Sequence, residues 1–187
     1  MGMLRHTLIA ATLVFALAGC SNGAASPSQT LTPSTPSGPA PGTSSASLTP
    51  PAMPKAARAH TSEGAKAFVV YYWKAVDYSQ QTLDTKPVEL ISDPNCVACQ
   101  AGIKALQEFA RQHGRLLGGT EVVSSLKVLS IKSGYPVVVS FELVSAAQQV
   151  VVPGKTTVVH PAGTNRKIMT LIPRDNGWVA GELRSGQ

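Results

Sequence analysis

The hydrophobic period of this chain changes once, near Gly114, from a helical repeat to a strand repeat. No other feature confines the fold as much. Helices followed by strands predict an α+β domain, with helices on one face of an antiparallel sheet. On the helical side, Thr61-Ser62-Glu63-Gly64 supplies a Ser or Thr N-cap. Phe68, Tyr72 and Val76 then fall at i, i+4 and i+8, with Val69 and Trp73 beside them, a broad apolar face over a helix from about Ser62 to Asp77 or a little beyond. Pro87 starts a short helical turn over Lys86–Ile91. Asn95 is placed to cap a third helix, from about Cys96 to His113, with Ile103, Leu106, Phe109 and Ala110 on its face and Gly114 ending it.

Beyond Gly114 the residues favour strands. Gly114–Gly119 reads as a helix-to-strand turn, and Glu121–Ile131 alternates loosely. Pro136–Leu143 is a stronger strand that continues over Gln148–Val152 after a bulge or bend at Ser145-Ala146-Ala147. Thr156–His160, Lys167–Ile172 and Trp178–Leu183 follow, the last two joined at Asn176-Gly177, a strong hairpin signal. Hydrophobic residues make up 43% of the chain, enough to exclude a wholly disordered protein.

The residues before Thr61 are different material. Positions 21–60 hold 8 Pro, 8 Ser and 5 Thr, and no apolar residue larger than Leu31, Leu48 and Met53. Such a segment buries too little surface to offset its ordering entropy, so residues 20–60 are expected to be a disordered, semi-stiff linker. Residues 61–187 carry 13 Lys and Arg against 10 Asp and Glu, without a basic run. Nucleic-acid binding, which wants a clustered basic face, is not expected.

Residues 1–20 read MGMLRHTLIAATLVFALAGC: a basic start, an apolar stretch of about ten residues, then Leu17-Ala18-Gly19-Cys20. The stretch is short for a bilayer span of about 20 residues. The ending resembles the lipobox of bacterial lipoproteins. That resemblance implies a signal peptide over 1–19, cleavage before Cys20, and diacylglycerol on the Cys20 sulfur with acyl chains of the palmitate kind. The protein would then be anchored at the extracytoplasmic face of the cell membrane, two chains being enough for a stable hold.

The order of helices and a meandering sheet ending in a Gly-Trp hairpin resembles the nuclear transport factor 2-like cone. Ala67-Phe68-Val69-Val70-Tyr71-Tyr72-Trp73, Pro94-Asn95-Cys96-Val97-Ala98-Cys99 and Asp175-Asn176-Gly177-Trp178 together look like an actinobacterial lipoprotein family of unknown function. The likeness covers roughly 120 residues and brings a fold and a location, without an activity.

Three readings compete for Cys96 and Cys99: a structural disulfide, a thiol-redox centre, or half a metal site. Thioredoxin-like chemistry wants a preceding strand in a βαβ unit, and the segment here is a Pro-broken loop after helices. Zinc needs two further ligands, and His60, His113 and His160 show no ligand spacing. With Cys20 lipidated in an oxidising compartment, a structural disulfide is the expectation, with no metal and no cofactor.

Phe68, Tyr71, Tyr72 and Trp73 are either core packing or the wall of an apolar pocket inside the cone. Related folds include isomerases and dehydratases with an Asp or His and a Tyr in the cone. Asp77 and Tyr78 are the nearest such groups here, and His160 reads as a turn residue. No nucleophile elbow, phosphate loop or dinucleotide fingerprint occurs. The expectation is a non-catalytic module that binds a small apolar ligand or an envelope protein. The alternatives are an enzyme using the cone interior and a thiol-disulfide protein using Cys96 and Cys99.

Overall fold

A computed structural model of the chain describes residues 48–186, apart from 131 and 133. The expected signal peptide, Cys20 and most of the expected linker lie outside the described residues. Helix α1 runs Ser62–Thr82, five residues beyond Asp77. The Thr61 side chain caps it by accepting from Gly64 N at 3.0 Å. It ends where Leu83 takes a left-handed conformation. The short α2 (Lys86–Glu89) begins with Pro87 in its first turn.

Helix α3 spans Val97–Arg111, and its N-cap is Cys96 rather than Asn95: Cys96 Sγ accepts from Cys99 N at 3.3 Å. Asn95 is drawn off because Asp93 Oδ1 accepts from both its backbone N (2.9 Å) and its side-chain N (3.1 Å). At the other end His113, one residue before Gly114, takes the positive φ.

Seven strands follow: β1 (Arg115–Gly118), β2 (Glu121–Ser130), β3 (Val137–Ser145), β4 (Gln148–Val151), β5 (Val158–His160), β6 (Gly163–Arg174) and β7 (Gly177–Ser185). Arg115–Gly118 is thus a strand and not only the expected turn. The larger sheet has order β2-β3-β6-β7 and the smaller β1-β4-β5, with every pairing antiparallel. Three chain segments, β1–β2, β3–β4 and β5–β6, run through both sheets and bend at one level, and β7 belongs to the larger sheet alone. The bend expected at Ser145-Ala146-Ala147 is part of this crease.

Across the crease, Gly119 N donates to Ala147 O (3.0 Å) and Ala146 N donates to Thr120 O (2.9 Å). Gly118, at φ +76°, is what the crease requires, since a Cβ there would lie 2.4 Å from Ala147 O. The β6–β7 hairpin turns at Asp175-Asn176, one residue earlier than Asn176-Gly177, with Gly177 paired to Arg174.

The core lies between the helices and the larger sheet. Along β3, Val137, Val139, Phe141 and Leu143 point inward in strict alternation. They meet Phe68, Val69, Tyr72 and Trp73 of α1 and Met169 and Leu171 of β6 in one buried cluster. Trp73 packs edge-on to Phe141 at 6.3 Å.

The packed domain starts before Thr61, which corrects the linker boundary. A 3-10 turn at Lys55–Arg58 buries Ala57 completely, and Met53 packs against the core. Trp178 Nε1 donates to Ala59 O at 3.1 Å, and the His60 ring sits edge-on to Trp178 at 4.8 Å. Its Nε2 faces Gly177 O (2.8 Å) and Arg174 O (3.1 Å), so Nε2 carries a proton. Composition hid this segment because its contacts come from small residues and backbone.

The close approach of that turn rests on Gly64, where a Cβ would lie 1.9 Å from Ala59 O. Gly→Ala inside a helix normally stabilises by about 1 kcal/mol. Gly64→Ala is expected to do the opposite, costing about 2 kcal/mol by pushing residues 55–60 off the helix. Urea unfolding checks the sign.

Candidate functional site

The cone interior is not filled by the core. Between α1, α3 and the smaller sheet lies a partly open cavity of about 400 Å³. Its walls are mainly apolar, formed by Trp73 and Val76 of α1, Leu106 and Phe109 of α3, and Leu116 and Val150 of the smaller sheet. Helix α3 covers the sheet incompletely. Cys99 and Ile103 are buried, whereas Leu106 and Phe109 stay half-exposed and Ala110 is exposed. An amphipathic helix normally hides such a stripe; here it faces free space.

Gly102 sharpens the point. It lies on the cavity wall in the middle of α3, and a Cβ there would meet nothing within 4 Å. A mid-helix glycine costs stability, and this one leaves the space open.

The four aromatic candidates separate. Tyr72 and Trp73 line the cavity. Phe68 is fully buried in the core. Tyr71 is also buried, and its edge lines a different cleft, near Arg58 and Pro87. The Tyr72 phenol is held above its ordinary pKa by burial, with the Ser92 hydroxyl acting in the other direction. The Trp73 Nε1 is buried without an acceptor among the described residues.

Cys96 and Cys99 form a disulfide, and both are buried. Cys99 lies on the cavity wall. No three His, Cys, Asp or Glu side chains among the described residues come together as a metal site.

Asp77 and Tyr78 are not among the residues that line this cavity. Tyr78 Oη donates to Asp84 Oδ2 at 3.2 Å on the surface. Asp77 Oδ1 accepts from Glu121 N at 2.9 Å, tying α1 to the start of β2. Burial pushes its pKa up to about 6, the Glu121 amide pulls it back, and the Glu121 carboxylate adds to the rise. His160 belongs to β5, paired with Gln148, and reaches the cavity rim. The sequence did not mark Leu116 or Val150 as lining residues, because a pair of adjacent apolar residues in a four-residue strand does not say which of the two faces inward.

The raised Asp77 pKa fixes a pH dependence. The folded state holds this proton more tightly than the unfolded state, so the contribution of Asp77 to stability falls as pH rises from about 4 to about 6. Asp77→Asn keeps an acceptor for the Glu121 amide and removes the charge. Its melting temperature is expected to exceed that of the native chain at pH 7.5, with the gap closing at pH 4. A gap that is the same at both pH values would contradict this placement of the carboxylate.

Several solved structures are similar to parts of the chain. The intermembrane space region of the chloroplast protein ARC6 matches with a TM-score of 0.50 at 14% identity, over 67% of this chain and 95% of that one. Aln2 from a Streptomyces species matches with a TM-score of 0.43 at 12% identity, over 66% and 90%. An uncharacterised Caulobacter vibrioides protein with a cystatin-like fold gives 0.38 at 12% identity, over 64% and 84%. No curated protein matches the chain in sequence. A family model matches residues 38–183, most of the chain and all of the cavity-forming elements, and the chain belongs to that family of unknown function, DUF6318.

Proposed function

We propose that this protein is a lipid-anchored extracytoplasmic lipoprotein whose cone binds a small apolar molecule. One observation carries the binding reading. A cavity of about 400 Å³ with apolar walls remains between α1, α3 and the smaller sheet, of a size that holds small ligands. Half-exposed Leu106, Phe109, Leu116 and Val150 forgo burial that closer packing would supply. Gly102 adds no side chain where one would fit. The binding is non-catalytic: the disulfide is buried and fixes the start of α3, and Asp77 serves the join between α1 and β2.

The anchor half of the proposal rests on Leu17-Ala18-Gly19-Cys20 after a short apolar stretch. No described helix is long and apolar enough to cross a membrane. The 27 residues between Cys20 and Leu48 are rich in Pro, Ser and Thr.

Two experiments check the two halves. Cys20→Ala is expected to abolish incorporation of labelled palmitate into the chain in cells; undiminished labelling would sink the anchor. Gly102→Leu is expected to raise helix stability by about 0.8 kcal/mol while filling the cavity. Native mass spectrometry of the intact protein should show a bound small molecule that the variant loses. Equal retention by both chains, or nothing bound in either, would refute the cavity as a binding site.

A further inference from the structure

A second concavity lies where the N-terminal segment joins the domain, separate from the cone cavity. It is an open cleft of about 850 Å³. One wall is the segment that composition assigned to the linker, with Pro50, Pro51, Met53 and Arg58. The others come from α1, α2 with the residues on either side of it, and the β6–β7 hairpin. The floor is hydrocarbon and aromatic: Met53, Leu90, Ile91, Trp178 and Val179. Leu90 is 69% exposed, a large apolar side chain left on the surface beside this floor.

The polar groups around the cleft are unequal. Arg174 is held by Asp93 at 2.9 Å. The Asp84 carboxylate accepts from Tyr78 Oη and from the Lys86 backbone N. Three groups are left over: the Arg58 guanidinium, the Lys86 ammonium and the Tyr71 hydroxyl, none of which has a hydrogen bond or ion pair with another described side chain. Tyr71 is itself only 7% exposed, so a nearly buried donor faces the cleft. Arg58 is close enough to act on the phenol, opposing the rise that burial causes in its pKa. A guanidinium, a hydroxyl and an ammonium lining one cleft supply donors for a small anion.

We propose that this cleft binds a long-chain carboxylate, its head held by Arg58, Tyr71 and Lys86 and its tail laid along Met53, Leu90, Ile91 and Trp178. Charge complementarity selects the acid over a neutral or cationic amphiphile. The apolar floor selects a tailed anion over free phosphate or a short acid. Because Met53 and Arg58 belong to the 50–58 segment, binding also fastens that segment to the domain. This site is independent of the cone cavity, and either can fail without the other.

The test uses the full lipidated chain in its own membranes. The probes are hexadecanoic acid carrying a mid-chain diazirine, the matching hexadecanol, and a phospholipid bearing the same acyl chain. After photolysis, labelled residues are mapped by mass spectrometry. The acid is expected to label residues 50–58, 86–91 and 177–180, and unlabelled hexadecanoate should compete that labelling away. Arg58→Ala should lower it about tenfold, the effect of losing a charge-assisted bond. Tyr71→Phe, which keeps the packed ring, should lower it in the same direction, and Arg58→Lys should restore part of it. Labelling near Leu106 and Phe109 reads the cone cavity separately and should not respond to these variants. The proposal is overturned if hexadecanol labels the cleft as well as the acid, if the phospholipid alone does so, if the variants change nothing, or if the cleft stays unlabelled.

Discussion

Asp93 is the joint between the helical layer and the sheet. Its side chain is only 8% exposed, and Oδ2 meets Arg174 Nη2 at 2.9 Å. Its backbone N donates to Ala180 O at 2.8 Å, and its carbonyl accepts from Cys96 N at 2.9 Å and Gln100 Nε2 at 3.2 Å. A carboxylate this far from water must be matched by donors on every side. The match used here fixes three things together: the turn before α3, the first turn of α3, and the β6–β7 hairpin. The Cys96–Cys99 disulfide then closes the first turn of the same helix. With its start pinned to β7, the far half of α3 is committed to lie over the smaller sheet, whether or not that sheet rises to meet it.

The sheet does not rise to meet it. The crease at Gly118-Gly119 and Ala146-Ala147 sets the smaller sheet at a different level from the larger one, with the Gly118 position open to no side chain. The larger sheet packs fully on α1 through Phe141, Leu143 and Met169. The smaller one presents Leu116 and Val150 across a gap to Leu106 and Phe109. One domain therefore holds a dense core beside an open apolar space. Close packing is the rule in interiors, and the departure from it is confined to one end of the cone.

Much of the architecture was legible in the residues. The switch of period near Gly114 carried the α+β order, and the apolar run Pro136–Leu143 carried the strand β3, whose inward face the structure then shows. The placement of Asp175-Asn176-Gly177 carried the hairpin to within one residue. Boundaries that depend on side-chain competition were harder to read. Asn95 looks like a cap, but Asp93 takes its donors, and the Cys96 sulfur caps instead. The docking of residues 50–60 was hidden because a Pro-rich composition argues for a linker. Its contacts run through Ala57, the Ala59 carbonyl and the space above Gly64. The aromatic run in α1 pointed to a pocket, yet only Tyr72 and Trp73 reach the cone cavity. A helix turns each successive ring by about 100°, so the adjacent Tyr71, Tyr72 and Trp73 cannot all share one wall.

The binding reading needs the apolar space between α3 and the smaller sheet to be open to a ligand and not a gap that closes in solution. Xenon and benzene enter apolar cavities of this kind without needing a specific contact. The direct measurement is methyl NMR of the intact protein titrated with benzene. Saturable shifts confined to Leu106, Leu116, Val150 and Leu183, with Val122 and Val144 on the outer face unmoved, are the predicted result. Cavity methyls that stay still while outer-face methyls move would contradict it.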